Sequence, residues 1–275
     1  MILLVLIVLG LVLGSFVNAL VWRLHEQEKL SNQKKAELSQ LSILHGRSIC
    51  PKCKHQLAAK DLMPVLSWVY LKGRCRYCHR PISWQYPAVE LITTGLFVFS
   101  WAYWPMPLTG IGLFEFILWL IFLTGLIALS VYDLKWFLLP NRLVYPLVGL
   151  ALVQIVIILM FYHGGFSVLS SAFWGVLLAG GLFYVIFQLS NGKWIGGGDV
   201  KLGVLLGLLV GGPFNSILTL FIASCSGTLL SLPLVLAGRA KRNTHLPFGP
   251  LLAVGIVVIR LFGISISHWL KSGHI

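Results

Sequence analysis

The stretch LFEFILWLIFLTGLIALSV, residues 113–131, decides the class of fold, because it is an apolar run with one charged residue, Glu115. The hydrocarbon core of a bilayer, about 30 Å thick, needs roughly 20 apolar residues per helix. Comparable runs lie near 1–22, 88–104, 143–162, 167–189, 200–212, 214–238 and 248–270. The sequence therefore predicts an all-α polytopic membrane protein with about eight transmembrane helices.

Composition agrees with this class of fold. Of the 275 residues, 57% are hydrophobic and 11% are charged, which excludes an ordinary soluble domain. The first run, 1–22, has no basic residues before it and is followed by Arg23, which favours an uncleaved helix with its N-terminus outside over a secretory signal. The run 200–212 is short and is broken by glycines and Pro213, so a half-helix is the alternative there.

Basic residues predict the orientation. Segment 23–86 contains twelve Lys and Arg against four Asp and Glu, so it should remain in the cytoplasm. Short loops with Lys and Arg are predicted on the same side, namely those with Lys135 and Arg142, with Lys193 and Lys201, and with Arg239, Lys241 and Arg242. The expected organisation is a first transmembrane helix at 1–22, a cytoplasmic basic zinc-binding domain at 23–87 and a helical membrane catalytic core at 88–275. Within the domain, 26–42 is expected to be a surface helix or flexible link.

Two Cys-x-x-Cys pairs lie in this basic segment. Cys50 and Cys53 occur in SICPKCKHQ, and Cys75 and Cys78 occur in GRCRYCHRP. This spacing predicts a small four-cysteine zinc-ribbon-like domain with one structural zinc ion. Disulfides and unliganded thiols are the alternatives, and a reducing cytoplasm disfavours the disulfides. Because 48–86 is poor in apolar residues, its folding should depend on the metal.

Two acidic residues, Asp133 and Asp199, fall where apolar runs meet the predicted cytoplasmic face. Carboxylates at such positions are candidates for function. Two carboxylates brought together share one proton, so that one can activate water while the other protonates a departing amine. The glycines Gly196–Gly198 would let the backbone turn sharply and a substrate strand approach closely. The alternative is that each aspartate is solvated or pairs with a lysine, Lys135 or Lys201.

The run Gly196-Gly197-Gly198-Asp199 matches the GxGD motif of membrane aspartic proteases, and IGGGDVKL, which includes Lys201, resembles the prepilin peptidase form of that motif. Three further stretches resemble the same family. They are GSFVNALVWRL at 14–24, the paired cysteines leading into YPAVELITTG at 86–95, and LPFGP at 246–250. The resemblance to the prepilin peptidase family therefore covers nearly the whole chain.

This resemblance implies a bifunctional enzyme of the bacterial inner membrane. Such an enzyme cleaves the basic leader from prepilin or pseudopilin precursors at the cytoplasmic face, then N-methylates the new N-terminal residue with S-adenosylmethionine. Asp133 and Asp199 match the catalytic pair of the family, the four cysteines match its metal site, and the glycines with Lys201 form the supporting motif. Asn141 stands where aspartate is equally expected. No residues are assigned to S-adenosylmethionine.

Two other classes of function would also use parts of this sequence. A membrane metal or ion transporter would use Asp133 and Asp199 to bind its cation and the cysteines to sense metal, but both aspartates are predicted at one face and not at the midplane. A membrane-tethered nucleic-acid module would use the basic zinc ribbon and leave the aspartates unexplained. The expected partners are thus prepilin-like substrates and membrane lipid, with no nucleic acid. The sequence leaves the oligomeric state open.

Arg260 lies about twelve residues into the last apolar run, 248–270. An unpaired charge there costs about 2.5–3.5 kcal/mol or more. We expect Glu115, near the start of the third run and at a similar depth, to be its partner. Snorkelling of Arg260 to the outer headgroups is the alternative.

Overall fold

A computed structural model describes residues 1–30, 41–43, 46–161, 165–238 and 246–272. The described part is largely helical and divides into two compact units, Met1–Ala102 and Tyr103–Ile275. Most of the polar stretch expected at 26–42 lies outside the described residues, as does the basic loop with Arg239, Lys241 and Arg242.

The first unit is built on two antiparallel helices. Its elements are α1 (Ile2–Leu30), a 3-10 turn (Ala59–Asp61), α2 (Leu66–Tyr70) and α3 (Gln85–Ala102). A Cβ atom added to Gly10 would lie 2.5 Å from the Cα atom of Thr94, and one added to Gly14 would lie 2.6 Å from that of Glu90. The two glycines therefore allow α1 and α3 to pack with their backbones almost in contact.

The second unit contains the remaining helices. They are α4 (Gly110–Trp136), α5 (Asn141–Phe161), α6 (Gly165–Ser190), α7 (Gly197–Val210), α8 (Pro213–Leu236) and α9 (Gly249–Lys271). Helix α7 packs closely on α6, since a Cβ atom on Gly207 would lie 2.4 Å from the backbone nitrogen of Val176. Leu202, Leu205 and Leu206 are at most 1% exposed. The short helix α7 therefore lies in the interior of this unit.

Six helices are long and apolar enough to cross a membrane in the described part of the chain, and they are α1, α4, α5, α6, α8 and α9. The predicted class of fold is confirmed, but the predicted span count is only approximate. The run 88–104 falls largely in α3, which has only 18 residues and includes Gln85 and Glu90. The run 200–212 falls mostly in α7, whose 14 residues extend about 21 Å. That length is less than the bilayer core of about 30 Å, so the half-helix alternative fits α7.

The predicted ion pair in the apolar core is present. Arg260 Nη2 donates to Glu115 Oε2 at 2.5 Å, and the guanidinium lies 5.2 Å from the ring centroid of Trp104. The side chain of Glu115 is 7% exposed and that of Arg260 is 21% exposed. Arg260 therefore has a carboxylate partner inside its own unit, and snorkelling is not needed to explain its position.

Candidate catalytic pair and four-cysteine metal site

The four paired cysteines form one cluster. Their sulfur atoms all lie within 4.8 Å of one another, and Cys50 Sγ lies 4.0 Å from Cys78 Sγ. Four sulfurs placed tetrahedrally about 2.3 Å from one zinc ion are about 3.8 Å apart. All four are free thiols, so the disulfide alternative is not found. The cluster could bind a metal ion with little rearrangement.

The two halves of this cluster have the same backbone structure. The N–H of Lys54 donates to the carbonyl of Cys50 at 2.9 Å, and the N–H of His79 donates to that of Cys75 at 2.9 Å. Lys54 and His79 are both left-handed, with φ of 59° and 55°. Isolated antiparallel bridges close both turns, Ile49 with Gln56 and Arg74 with Pro81. Local hydrogen bonds therefore shape each pair, and the sequence analysis missed this repeated turn.

Protonation differs among the four thiols. The backbone N–H of Arg80 tends to lower the pKa of Cys78, but burial and the neighbouring thiols raise it to about 11. Cys50 shows the opposite direction. Burial tends to raise the pKa of this thiol, but hydrogen bonds from the backbone N–H groups of Cys53 and Lys52 outweigh burial and bring the pKa to about 7. The thiolate is the form that binds metal.

Asp133 lies in the last turns of α4 and is 5% exposed. Its Oδ2 atom accepts a hydrogen bond of 2.9 Å from the backbone N–H of Gly249, the first residue of α9. A Cβ atom on Gly249 would lie 2.8 Å from the same oxygen, so only glycine fits. The positive end of the α9 dipole thus points at the Asp133 carboxylate.

This contact explains the LPFGP stretch, to which the sequence analysis assigned no role. Gly249 is followed by Pro250 at the start of α9. Proline in the first turn is a common signal of a helix N-terminus, and a helix N-terminus is a site for a negative charge. The signal was present in the sequence, but it did not identify which carboxylate the helix would meet.

Asp199 lies in the first turn of α7, outside the six candidate spans. Its Oδ2 atom accepts a hydrogen bond of 3.2 Å from the N–H of Gly196. Burial is the largest cause raising the pKa of Asp199 and the negative charge of Asp133 is the second, so that its pKa is about 6 despite the Gly196 hydrogen bond. The fold therefore brings Asp133 and Asp199 close enough to influence each other's charge, although they are far apart in the sequence.

The three glycines before Asp199 do not adopt the left-handed conformation reserved for glycine. A Cβ atom on Gly198 would lie 2.9 Å from the Cβ atom of Leu139, which is in the connection between α4 and α5. At Gly198 the missing side chain thus makes room for Leu139. This is a different reason from the approach of a substrate strand that the sequence suggested.

Lys201 belongs to the same motif, but its hydrogen bond is to Asn141 and not to either aspartate. Its Nζ atom donates to Asn141 Oδ1 at 2.6 Å and lies 5.5 Å from the ring centroid of Tyr145. Within the described residues neither Lys201 nor Lys135 forms an ion pair with Asp133 or Asp199, so the lysine-pairing alternative is not found. Asn141, where the resemblance equally suggests aspartate, links the start of α5 to α7 through Lys201.

Comparison with known proteins was made for the whole chain. Residues 8–104 match the family model described as bacterial peptidase A24 N-terminal domain, and residues 120–232 match that of the type IV leader peptidase family. No solved structure gives a significant match.

Curated relatives align over most of their length. A prepilin leader peptidase/N-methyltransferase of Bacillus subtilis is 32% identical, and the alignment covers 97% of each chain. A protein of the same name from Stutzerimonas stutzeri is 34% identical over 95% of this chain and 91% of its own. One from Pectobacterium carotovorum is 35% identical over 90% of this chain and 88% of its own.

Proposed function

This chain belongs to the type IV leader peptidase family, and we propose that it is a bifunctional enzyme that removes the leader from prepilin-like precursors and methylates the new N-terminus. The observation that supports the proteolytic step best is the electrostatic interaction between Asp133 and Asp199 at the ends of two helices. The relatives have both activities in their name. The transporter alternative finds no support in the comparisons.

The two aspartates would divide the proton transfers of peptide hydrolysis. Asp133, whose carboxylate faces the N-terminus of α9, would act as the base that takes a proton from water. The resulting hydroxyl would attack the carbonyl carbon of the scissile peptide bond. Asp199, with its raised pKa, would supply the proton that the departing amine requires. Water is consumed, one C–N bond breaks, and neither a serine nor a cysteine nucleophile is needed.

The four cysteines would hold a zinc ion with a structural role. Four thiolates complete a tetrahedral site and leave no position for a substrate, so bound zinc would supply folding energy and no chemistry. The methyl donor would be S-adenosylmethionine, and no residues of the chain are assigned to it.

The expected topology puts the reaction at the inner face of the bacterial inner membrane. The excess of Lys and Arg in 23–86 supports a cytoplasmic location for the basic zinc-binding domain, 23–87, and an external N-terminus for the first transmembrane helix, 1–22. The helical catalytic core would be 88–275, with both aspartates at the cytoplasmic side. A substrate with a basic leader would be retained at that side by the same charge rule.

One experiment tests both activities. The purified full chain, reconstituted in lipid, is incubated with a prepilin and S-adenosylmethionine labelled in its methyl group. We expect a mass shift for loss of the leader, followed by label on the trimmed product. Without the methyl donor, cleavage should persist. Absence of cleavage under conditions in which the Bacillus subtilis relative cleaves the same prepilin would overturn the proposal, and cleavage without label would remove its second half.

A further inference from the structure

The segment between the two cysteine pairs exposes an unusual amount of apolar surface. We call 62–71, LMPVLSWVYL, the apolar segment. It includes α2, and five of its side chains are 40% to 77% exposed, namely Leu62, Met63, Leu66, Val69 and Tyr70. Trp68 alone is turned inward by a hydrogen bond, since its Nε1 atom donates to the carbonyl of Ile82 at 3.2 Å and its ring covers Gly73. The described residues leave the other face of α2 exposed and do not explain its apolar composition.

A hydrogen bond to α3 fixes the position of this segment. The N–H of Val65 donates to Glu90 Oε2 at 2.7 Å. Val65 has φ of 59°, a conformation that is rare and costly for a β-branched residue, so the surrounding contacts must hold it there. The apolar segment is thereby attached to the second turn of α3.

The hydrogen bond to Glu90 also gives the level of the apolar segment along α1. Glu90 packs against Gly14 of α1, and Gly14 lies eight residues before Trp22, the end of the first apolar run. At 1.5 Å per residue the level of Glu90 is about 12 Å inside the end of this run. The hydrogen bond to Glu90 therefore holds the start of α2 beside the apolar surface of α1 and α3, within the length of the first apolar run.

Uncompensated positive charge lies next to the apolar segment. Lys72, Arg74 and Arg80 are exposed, and none has an acidic partner within the described residues. Asp61 is the one acidic residue of 46–86, and it is bonded to Arg76 Nε at 2.7 Å, to the Tyr77 hydroxyl at 2.9 Å and to the Ala58 N–H at 3.2 Å. Lys72 and Arg74 also line one cavity, together with Leu71, Cys75, Arg76 and His79. The described residues of this unit therefore offer Lys72, Arg74 and Arg80 no carboxylate partner.

We propose that the apolar segment inserts into the interfacial layer of the bilayer and that Lys72 and Arg74 bind the phosphates of anionic lipids. An exposed apolar face bordered by Lys and Arg is the composition of interfacial anchors, and the hydrogen bond from Val65 to Glu90 holds this face beside α3. Each basic residue close to an anionic surface strengthens binding about fivefold. The four-cysteine cluster is then held against the membrane by lipid as well as by α1 and α3.

Photo-crosslinking locates the neighbour of the segment. Full-length protein with Tyr70→p-benzoylphenylalanine is reconstituted in vesicles of phosphatidylcholine and phosphatidylglycerol, irradiated and analysed by mass spectrometry. Gln56→p-benzoylphenylalanine, at an exposed position of the first cysteine turn, is the control. We expect several-fold more lipid adducts at 70 than at 56. Adducts at 70 to another part of the chain, to a second copy or to a prepilin in place of lipid, or no excess over 56, would overturn the proposal.

Charge reversal tests the headgroup contact. In the Tyr70 probe protein, Lys72→Glu with Arg74→Glu should lower the ratio of phosphatidylglycerol to phosphatidylcholine adducts by about fivefold or more. The matched control, Lys52→Glu with Lys60→Glu, changes the net charge equally at exposed positions outside the cavity and should leave the ratio unchanged. Equal ratios in all three proteins would contradict phosphate binding. If thermal unfolding shows that the reversed variant is destabilised, Lys72→Gln with Arg74→Gln takes its place with the same expected direction.

Discussion

The four cysteines and the two aspartates are both brought together from separate parts of the sequence, but by different means. Each cysteine pair is shaped by hydrogen bonds within six residues, such as that from Lys54 to Cys50. The aspartates are positioned by the ends of three helices, since Asp133 lies near the end of α4, Asp199 lies in the first turn of α7 and Gly249 begins α9. The comparison teaches that a local pattern can build a candidate metal site, whereas the candidate catalytic pair depends on the packing of the second unit.

The two sites should therefore fail in different ways when they are changed. A variant of the aspartates should lose chemistry and keep structure, because their neighbours are helix ends that many other contacts hold. A variant of the cysteines should lose local structure first, because little apolar surface holds 46–83 together without a metal.

The largest expected effect is on leader cleavage. Asp133→Asn or Asp199→Asn should each lower the cleavage rate by about 10³-fold or more, because the amide keeps the shape but cannot exchange a proton. Metal content and methylation of a trimmed pilin should be unchanged if the methylation site is separate. Glu26→Gln, an acid-to-amide change on α1, is the control for the substitution itself. Substantial cleavage by either asparagine variant would refute the catalytic assignment.

The next effect concerns the metal. Cys50→Ser with Cys75→Ser removes one ligand from each turn, so bound zinc should be lost and 46–83 should become sensitive to protease. Cys225→Ser, at an exposed cysteine of α8 outside the cluster, should change neither property. Zinc analysis of purified protein and limited proteolysis measure both outcomes. Active wild-type protein without metal would reject the structural role.

The pH dependence of cleavage should reflect Asp199. Its pKa is raised to about 6, so the proton needed for the departing amine is present below this pH and is lost above it. The rate should therefore fall as the pH rises through about 6, by up to about tenfold per pH unit. Rates measured across this range at constant ionic strength check the sign. A rate that rises on the alkaline side would mean that Asp199 is the base and not the acid.

The smallest effect should come from the ion pair outside both sites. Glu115→Gln leaves Arg260 without its carboxylate. Breaking a buried pair costs about 3–5 kcal/mol, and the partial exposure of Arg260 reduces our expectation to about 2 kcal/mol. Thermal unfolding in detergent measures the loss. The double variant Glu115→Leu with Arg260→Met should recover part of the stability, and a double variant less stable than Glu115→Gln would contradict this account.

Much of the fold could be predicted from the sequence, and so could the residues of both candidate sites. Apolar runs of sufficient length identify membrane helices because a bilayer satisfies no backbone hydrogen bonds. The Cys-x-x-Cys spacing at 50/53 and 75/78 predicts that the two sulfurs of each pair lie close enough to bind one metal ion. The partner of Arg260 was predictable as well, since residue count gives depth and Glu115 was the acidic residue at that depth.

Tertiary structure decided the arrangement of the candidate catalytic pair and its surroundings. No spacing in the sequence brings Asp133 to Asp199, because their distance depends on how α4, α7 and α9 pack together. The same packing explains why Gly249 and Gly198 must lack side chains, since the atoms that would collide with a Cβ belong to Asp133 and Leu139. Composition and local spacing determined what kind of protein this is and which four cysteines could bind a metal ion. Helix packing, which depends on contacts between distant residues, determined how Asp133 and Asp199 come close enough for the charge of one to raise the pKa of the other.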